Sequence, residues 1–370
     1  MGVIADLSST PDPAQPRLKD RAFAPIGREC FDAVLSSANP SETTRRGLSY
    51  LVSKTETSER LQIKVLNATK REIYRDLVRA SEFDQSAIFK LVHDNVFGVH
   101  EPSPFALLVT DWELDSTPAD VELMEKMSQV AAAIHAPFVS AVGPAFFLAD
   151  NFEELAKRPH PWKIFENPHY AKWRSFRKSE DARYVGLTCG ATQSAWAFAA
   201  NVARAFQVHR WYAAIQGPMI VEDGMDYGLM MNATLPDGTI LFPRAAAVFE
   251  PTAQESPKAT EEFRRAVELP YVFGISRFAH YVKALVGDRN LPFDSPENCE
   301  QCLNEWISRY VATGGPSSEH PLTSAHIRLE KPGAPSGSYR AVIRANPAFQ
   351  LPPLMFGPRV VASLPPGKIR

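Results

Sequence analysis

The chain has 370 residues and a formal net charge of -2 at pH 7, with 45% hydrophobic and 22% charged residues. Because dedicated nucleic-acid binders normally carry a basic excess, this balance argues against nucleic acid as a ligand. No run approaches the about 18 consecutive apolar residues that span a bilayer, and residues 1–26 lack the pattern of a secretory signal. We therefore expect a cytoplasmic globular protein without membrane insertion, long enough for one large or two ordinary domains.

The first 26 residues have the composition of a tail. They contain Pro11, Pro13, Pro16 and Pro25 among several Ser, Asp and Ala residues. A segment so rich in proline and small polar residues predicts a flexible N-terminal tail over 1–26.

Hydrophobic periodicity predicts the elements that follow. Helices are expected at 29–37, from Ser41 onward, from a Thr69 cap to Arg79, and at 86–95, 118–134, 196–207, 260–287 (interrupted near Pro270) and 296–311. Strands are expected at 61–66, 105–110, 137–142, 185–187, 211–215, 326–330, 339–344 and 359–364. In the helix after Thr69, residues Ile73, Leu77 and Val78 are predicted to share the apolar face.

The order of these elements predicts an α/β fold, α+β overall. Strand, helix and strand over 105–142 form a βαβ crossover, the strongest sign of a central sheet with flanking helices. From about residue 321 the pattern changes to strands with Gly/Pro-rich turns. We therefore predict an α/β core over 27–320 with a mixed sheet, and a C-terminal β-rich segment over 321–370.

No complete catalytic constellation is visible in the sequence. The chain has no nucleophile elbow, Walker loop or dinucleotide fingerprint. Cys299 and Cys302 form a lone C-x-x-C without the further ligands that zinc requires, so both are expected on a helix, Cys302 on its buried face beside Trp306. One alternative is an α/β enzyme that uses Cys189 with a base such as His280, although a buried structural thiol and a core histidine explain these residues better.

The segment 163–187 combines aromatic residues with alternating charges. Its candidate residues are Tyr170, Trp173, Arg174, Arg177, Glu180, Asp181 and Arg183. Arginine and aromatic residues are enriched at the centres of protein interfaces, which favours a binding surface. An ordinary surface helix with Trp173 filling a core gap explains the same composition, and the two interpretations stay open on composition alone.

The same residues carry a resemblance to a known family. The stretch Tyr170-Ala-Lys-Trp-Arg-Ser-Phe-Arg-Lys-Ser-Glu-Asp-Ala-Arg-Tyr-Val-Gly-Leu187 resembles the large sheath subunit of the bacterial type VI secretion system (TssC/VipB). Further matching stretches are Gly47–Val52, Ile63–Asn67, His135–Ala141, Ser276-Arg-Phe-Ala-His-Tyr281 and Cys299 through Trp306. This adds Arg277, His280 and Trp306 to the structural or interface candidates.

The resemblance implies a structural protein with a contractile tail-sheath-like fold, without enzymatic activity, cofactor or metal. It implies pairing with a small sheath subunit (TssB/VipA-like), strand exchange between protomers, and self-assembly into a helical sheath around an inner tube. It also implies recycling by an unfoldase. In segment 163–187 it favours a structural junction in which Trp173, Arg174 and Arg183 hold the helix against the following strand.

Two departures from the family pattern are visible. The chain is shorter after Leu187, where Thr188 leads almost directly into the Ala-rich helix, and again around 243–268. These losses predict a reduced middle of the subunit and make a divergent paralogue, which regulates sheaths without polymerising, an alternative.

Overall fold

A computed structural model describes residues 2–5, 17–20, 24–26, 42–54, 63–97, 104–157, 161–189, 194–212, 214–216, 229–231, 233–234, 240–252, 254–287, 293–331, 338–352, 354–355 and 357–369. The predicted helix at 29–37 and the predicted cap Ser41 lie outside the described residues. The chain forms two compact units. Unit 1 comprises Met1–Val208 with Ala214–Glu250, and unit 2 comprises His209–Ala213 with Pro251–Arg370.

Unit 1 is a sheet with helices. Its helices are α1 (Glu42–Lys54), α2 (Lys70–Arg79), α3 (Ala87–Phe97), α4 (Pro118–Ile134), α5 (Phe152–Lys157), α6 (Ala171–Phe176) and α7 (Ser194–His209, whose last residue belongs to unit 2). Its strands are β1 (Gly2–Ala5), β2 (Ala24–Ile26), β3 (Ile63–Asn67), β4 (Leu108–Leu114), β5 (Phe138–Val142), β6 (Val185–Cys189), β7 (Met230–Met231), β8 (Ala233–Thr234) and β9 (Ile240–Leu241).

The main sheet of unit 1 has seven described strands in the order β2-β3-β1-β4-β5-β6-β7. Strand β2 is antiparallel to β3 and the other pairings are parallel, so the predicted mixed sheet is confirmed. The predicted βαβ crossover is also confirmed, since α4 connects the parallel neighbours β4 and β5. Strands β5 and β6 are buried throughout, as expected of parallel strands.

Strands β1 and β2 correct the prediction of a flexible tail over 1–26. Strand β1 pairs with both β3 and β4 and so lies inside the sheet, and β2 pairs with β3. Averaged composition hides the four-residue run Gly-Val-Ile-Ala, whose backbone hydrogen bonds complete the ladders on both sides.

Local signals explain where the helices begin. Thr69 caps α2 as predicted, and it forms a complete capping box with Glu72. Ile73 and Leu77 are buried on this helix, but Val78 is 44% exposed. The prediction that Val78 shares the apolar face is therefore wrong, because position 78 follows Leu77 by only one residue and points about 100° away from it.

Unit 2 contains α8 (Pro257–Ala266), α9 (Leu269–Gly287) and α10 (Pro296–Ser308), followed by β10 (Leu322–Glu330), β11 (Arg340–Pro347) and β12 (Arg359–Ser363). The three strands form an antiparallel sheet in the order β10-β11-β12. One face of this sheet packs with α9 and α10 around Phe278, Ile327 and Ile343. The structure therefore divides the chain near residue 250 instead of 320, because the C-terminal strands need these helices to cover their apolar face.

The predicted strand at 211–215 is wrong. Trp211 and Ile215 are buried, yet the described residues between Arg210 and Gln216 form bends and turns. Arg210 and Ala214 have φ values of 58° and 54°, in the left-handed region that a strand does not use. The apolar pattern reflects burial of a turn.

Within the described ranges, no helix is both long and apolar enough to cross a membrane. Among the same residues, no group of three or more His, Cys, Asp or Glu side chains is placed to hold a metal ion.

Candidate functional site

The aromatic residues of segment 163–187 are core residues of unit 1. The segment folds as short 3-10 turns at Pro161–Glu166, Pro168–Tyr170 and Glu180–Tyr184, with α6 between them and β6 at its end. Its buried aromatic side chains are Tyr170, Trp173, Phe176 and Tyr184. These four side chains are not exposed for contact with another subunit, so the interface interpretation is wrong for them.

Tyr170 and Trp173 converge on Phe146. The hydroxyl of Tyr170 donates a hydrogen bond to the backbone carbonyl of Phe146 at 2.6 Å. The ring of Trp173 meets the Phe146 ring edge to face, with the centroids 5.2 Å apart. Edge-to-face pairs add about 0.5–1.5 kcal/mol beyond the burial of the rings. This contact fixes α6 on the 3-10 turn that follows β5.

Arg177 connects the end of α6 to the segment that closes unit 1. Its Nε donates to the backbone carbonyl of Val248 at 3.0 Å, and its guanidinium lies 3.6 Å from the Glu250 carboxylate. The backbone N–H of Glu250 donates in return to the Arg177 carbonyl at 2.6 Å, and Val248 donates to Val185 at 2.8 Å. Arg177 is 9% exposed, so its guanidinium makes these contacts inside unit 1.

The remaining charged candidates of this segment make local contacts. Arg174 donates to the carbonyl oxygens of Phe165 and Asn167, which closes the preceding turn. Arg183 pairs with Glu180 at 3.1 Å. Burial raises the pKa of Asp181 above its ordinary value, and Arg183 partly opposes this shift. Arg174 and Arg183 thus stabilise local turns, and neither of these contacts reaches β6, so the role in holding the helix against the following strand stays a prediction for them.

In unit 2, Arg277 lies between two aromatic rings. Its guanidinium carbon is 5.2 Å from the centroid of Trp211 and 5.4 Å from that of Tyr281. The guanidinium also donates to the Arg210 carbonyl at 2.6 Å and to the Tyr281 hydroxyl. The side chain thereby holds the turn before Trp211 against α9.

The other two candidates of unit 2 differ in their surroundings. Trp306 is partly exposed and meets the rings of Phe278, Tyr281 and Tyr310, with centroids 5.3 to 6.2 Å away. His280 is buried on α9. The structure thus brings Arg277 and Trp306 to a shared neighbour, Tyr281, and places His280 in the core.

Cys189, the nucleophile of the enzyme alternative, is a buried thiol at the end of β6. Burial raises its pKa from 9.0 to about 12, so the thiol stays protonated at neutral pH. Because the thiolate is the nucleophile, this environment opposes catalysis by Cys189. Cys299 is fully buried on α10, and partly exposed Cys302 packs with Trp306 against the same core, so both cysteines lie on the core-facing side of the helix as predicted.

The sequence analysis missed the residues that cover one edge of the C-terminal sheet. The outward backbone groups of Ile327 in β10 bond to the side chain of Asn304, at 2.9 Å for the N–H and 2.6 Å for the carbonyl. The N–H of Leu329 donates to Glu300 at 2.7 Å. A possible sequence signal is the i, i+4 spacing of Glu300 and Asn304 on α10, beside buried Leu303.

The opposite edge of this sheet, along β12, is open. In the β11–β12 ladder, Leu364 and Pro358 bond to β11, so alternation turns the backbone groups of Arg359, Val361 and Ser363 outward. Among the described residues, none bonds to these three outward positions. Within the described residues, the C-terminal sheet therefore has one edge closed by side chains and one edge without a bonded partner.

Comparisons with known proteins agree with the two units. Residues 32–194 match the model of the EvpB/VC_A0108 tail sheath N-terminal domain, and residues 258–364 match the tail sheath gpW/gp25-like domain of the same family. The chain is 31% identical over 402 residues to the type VI secretion system sheath protein TssC1 of Pseudomonas aeruginosa, covering 88% of this chain and 81% of the relative. The chain belongs to the type VI secretion system sheath protein family. It is a sheath large subunit of the TssC/VipB kind, as the resemblance indicated.

A solved structure gives a weaker likeness. The sheath complex of an extracellular contractile injection system (PVC) in the contracted state aligns with a TM-score of 0.46 and 9% identity, covering 96% of this chain and 90% of that chain.

The family match also bears on the length of the sheath subunit. The matched span is 402 residues, whereas this chain contributes 88% of its 370 residues. The alignment therefore contains positions at which TssC1 has a residue and this chain has none, as expected if this chain is internally shorter. The two family models leave residues 195–257 between them, a range that includes the first part of the 243–268 region, whereas the predicted shortening directly after Leu187 lies inside the first matched range.

Proposed function

We propose that this sheath subunit pairs with a small sheath subunit and polymerises in the cytoplasm into a helical sheath around an inner tube. Membership of the sheath family supports the structural role. The observation that supports the pairing is the open edge of β12, on the side of the sheet opposite to the closed edge of β10.

The open edge suits strand addition from a neighbouring subunit. An extended segment that pairs with the outward groups of Arg359, Val361 and Ser363 forms backbone hydrogen bonds without breaking any internal ladder bond. Exposed strand edges otherwise promote aggregation, because they can pair with strands of unrelated chains. Asn304 and Glu300 close the β10 edge, so among the described residues of this sheet only the β12 edge is left for a partner strand.

The burial of Tyr170, Trp173 and Arg177 supports a scaffold role for unit 1. Contacts within the unit occupy the side chains of Tyr170, Trp173 and Arg177. The segment therefore transmits mechanical load between α6, β6 and the residues near Glu250. In this proposal the subunit has no catalytic step, and contraction is a change between two packings of intact subunits. Contact with the inner tube and recycling by an unfoldase are part of the same proposal.

The test is co-production of the full chain with its small sheath partner. We expect the two proteins to co-purify and to form tubules visible by electron microscopy. A chain that remains monomeric and does not retain the partner contradicts the proposal. If the chain retains the partner but forms no tubules, the result favours the regulatory paralogue. The gaps in the alignment with TssC1 are the reason to consider that alternative.

A further inference from the structure

The outer face of the C-terminal sheet, opposite the helices α9 and α10, carries a regular set of side chains. Cross-strand register places them in three rows: His326–Arg344–Arg359, Arg328–Val342–Val361 and Glu330–Arg340–Ser363. We call these nine residues the basic face. The side chains of the alternating residues, such as Ile327 and Ile343, point to the opposite face and are buried.

The basic face has a strong excess of positive charge. Four arginines and one histidine are exposed there, against the single carboxylate of Glu330. Within the described part of the chain, none of the four arginines has an ion pair. Val361 is partly exposed between Arg328, Arg344 and Arg359 and supplies an accessible apolar position, whereas Val342 is buried beneath the arginines. A surface of this kind fits an acidic partner that also presents an apolar side chain.

Unit 1 presents a segment with the complementary chemistry. Leu148 has a left-handed backbone with φ 51° and is 47% exposed. Asp150, Glu153 and Glu154 follow within six residues and are all exposed, before Lys157 ends the helix. We call residues 148–154 the acidic segment. Bonds from the N–H of Asp150 to Glu154 and from the N–H of Glu154 to Asn151 order its backbone.

We propose that the acidic segment of one copy of this chain docks on the basic face of a second copy. Its carboxylates pair with arginines of the face, and Leu148 packs on partly exposed Val361. Because the two surfaces differ, the contact is heterologous and repeats from copy to copy. It deepens the proposed function by adding a side-chain contact beside the open β12 edge, since Arg359 and Val361 belong to both surfaces.

Charge exchange between the two surfaces tests this contact. The face variant carries Arg344→Glu with Arg359→Glu, and the segment variant carries Asp150→Arg with Glu153→Arg. A matched control, Arg264→Glu with Arg309→Glu, makes the same charge change at exposed positions elsewhere in unit 2. Sedimentation velocity of the full chain alone, without the small subunit, reports self-association, and circular dichroism and thermal unfolding check that each variant is folded.

We expect the wild type and the control to associate with rising concentration at low salt and to separate at about 0.5 M salt, where charges are screened beyond about 3–4 Å. Each charge-reversal variant alone should associate at least about tenfold more weakly. Mixing the two variants should restore association, because an acidic face then meets a basic segment and an acidic segment meets a basic face.

Other outcomes overturn the proposal. Failure of the mixture to associate excludes pairing of these two surfaces. If the face variant loses association and the segment variant keeps it, the basic face binds an acidic partner other than the acidic segment. A wild type that stays monomeric over the accessible concentrations excludes the contact in the free chain. Since the small subunit is absent, none of these results depends on whether the two subunits pair.

Discussion

The Nε of Arg177 donates a hydrogen bond to the backbone carbonyl of Val248 at 3.0 Å, across 71 residues of sequence. The return bond from the N–H of Glu250 to the carbonyl of Arg177 makes the connection reciprocal. This pair holds the last described segment of unit 1 against the end of α6, and it joins two stretches that are remote in sequence.

Replacement of Arg177 is expected to destabilise unit 1. Arg177→Met removes the donor and leaves the Val248 carbonyl without this partner, which costs about 1–3 kcal/mol. The control Arg183→Met removes a partly exposed pair with Glu180, worth about 0–1 kcal/mol. Urea unfolding of both variants gives the two free energies, and an equal loss contradicts the assigned role of Arg177.

Gly357 approaches the neighbouring strand too closely for a side chain. A Cβ at this position would lie 2.6 Å from the backbone carbonyl oxygen of Ala345, which cannot move without distorting β11. Gly357→Ala is therefore expected to destabilise unit 2 by about 1–3 kcal/mol, the usual cost of overpacking. Gly315→Ala, where nothing lies within 4 Å, should leave the unfolding free energy within about 0.5 kcal/mol. Thermal or urea unfolding that ranks the two variants equally contradicts the close approach.

The thiol of Cys189 is expected to be inert in the folded protein. Burial raises its pKa to about 12, so iodoacetamide at about pH 7.5 should modify Cys189 only after unfolding, while partly exposed Cys302 reacts first. Peptide mass spectrometry separates the sites. Because the folded pKa lies above the unfolded value, the thiol's contribution to stability is full below pH 9.0 and is lost as pH rises towards about 12. Selective native labelling of Cys189 would instead revive the enzyme alternative.

Parts of this organisation follow from sequence. The cap at Thr69, the crossover through α4 and the C-terminal strands depend on local spacing, which a sequence displays directly. Strand β1 was missed because its pairing partners, β3 and β4, are about 60 and 105 residues away and set its position in the sheet.

The contacts of the candidate site also divide into those between sequence neighbours and those between remote residues. Arg174 and Arg183 make contacts with residues within nine positions in the sequence. The partner of Arg177 near Val248 depends on tertiary geometry, so no local pattern reveals it. The i, i+4 spacing of Glu300 and Asn304 marks a polar pair on α10, but it does not reveal that β10 is the element they bond to. Exposure of the aromatic residues could not be decided from composition, because interfaces and cores use the same side chains.

Proline at the open edge should block assembly while sparing the fold. Val361→Pro removes an N–H that points away from β11, so no internal ladder bond is lost. We expect co-produced Val361→Pro chains to fold, as judged by circular dichroism, but to form no tubules with the small subunit. Val361→Thr keeps the N–H and should assemble, whereas tubules formed by the proline variant would show that β12 does not accept a strand.

Hydrogen exchange at β12 tests strand addition most directly. In the free subunit, the amides of Arg359, Val361 and Ser363 should exchange rapidly, while that of Ile343 in the central strand is protected. In assembled tubules, the three outward amides should become at least about tenfold slower, because a donated strand accepts their hydrogen bonds. Unchanged exchange at these three amides in tubules would contradict the account.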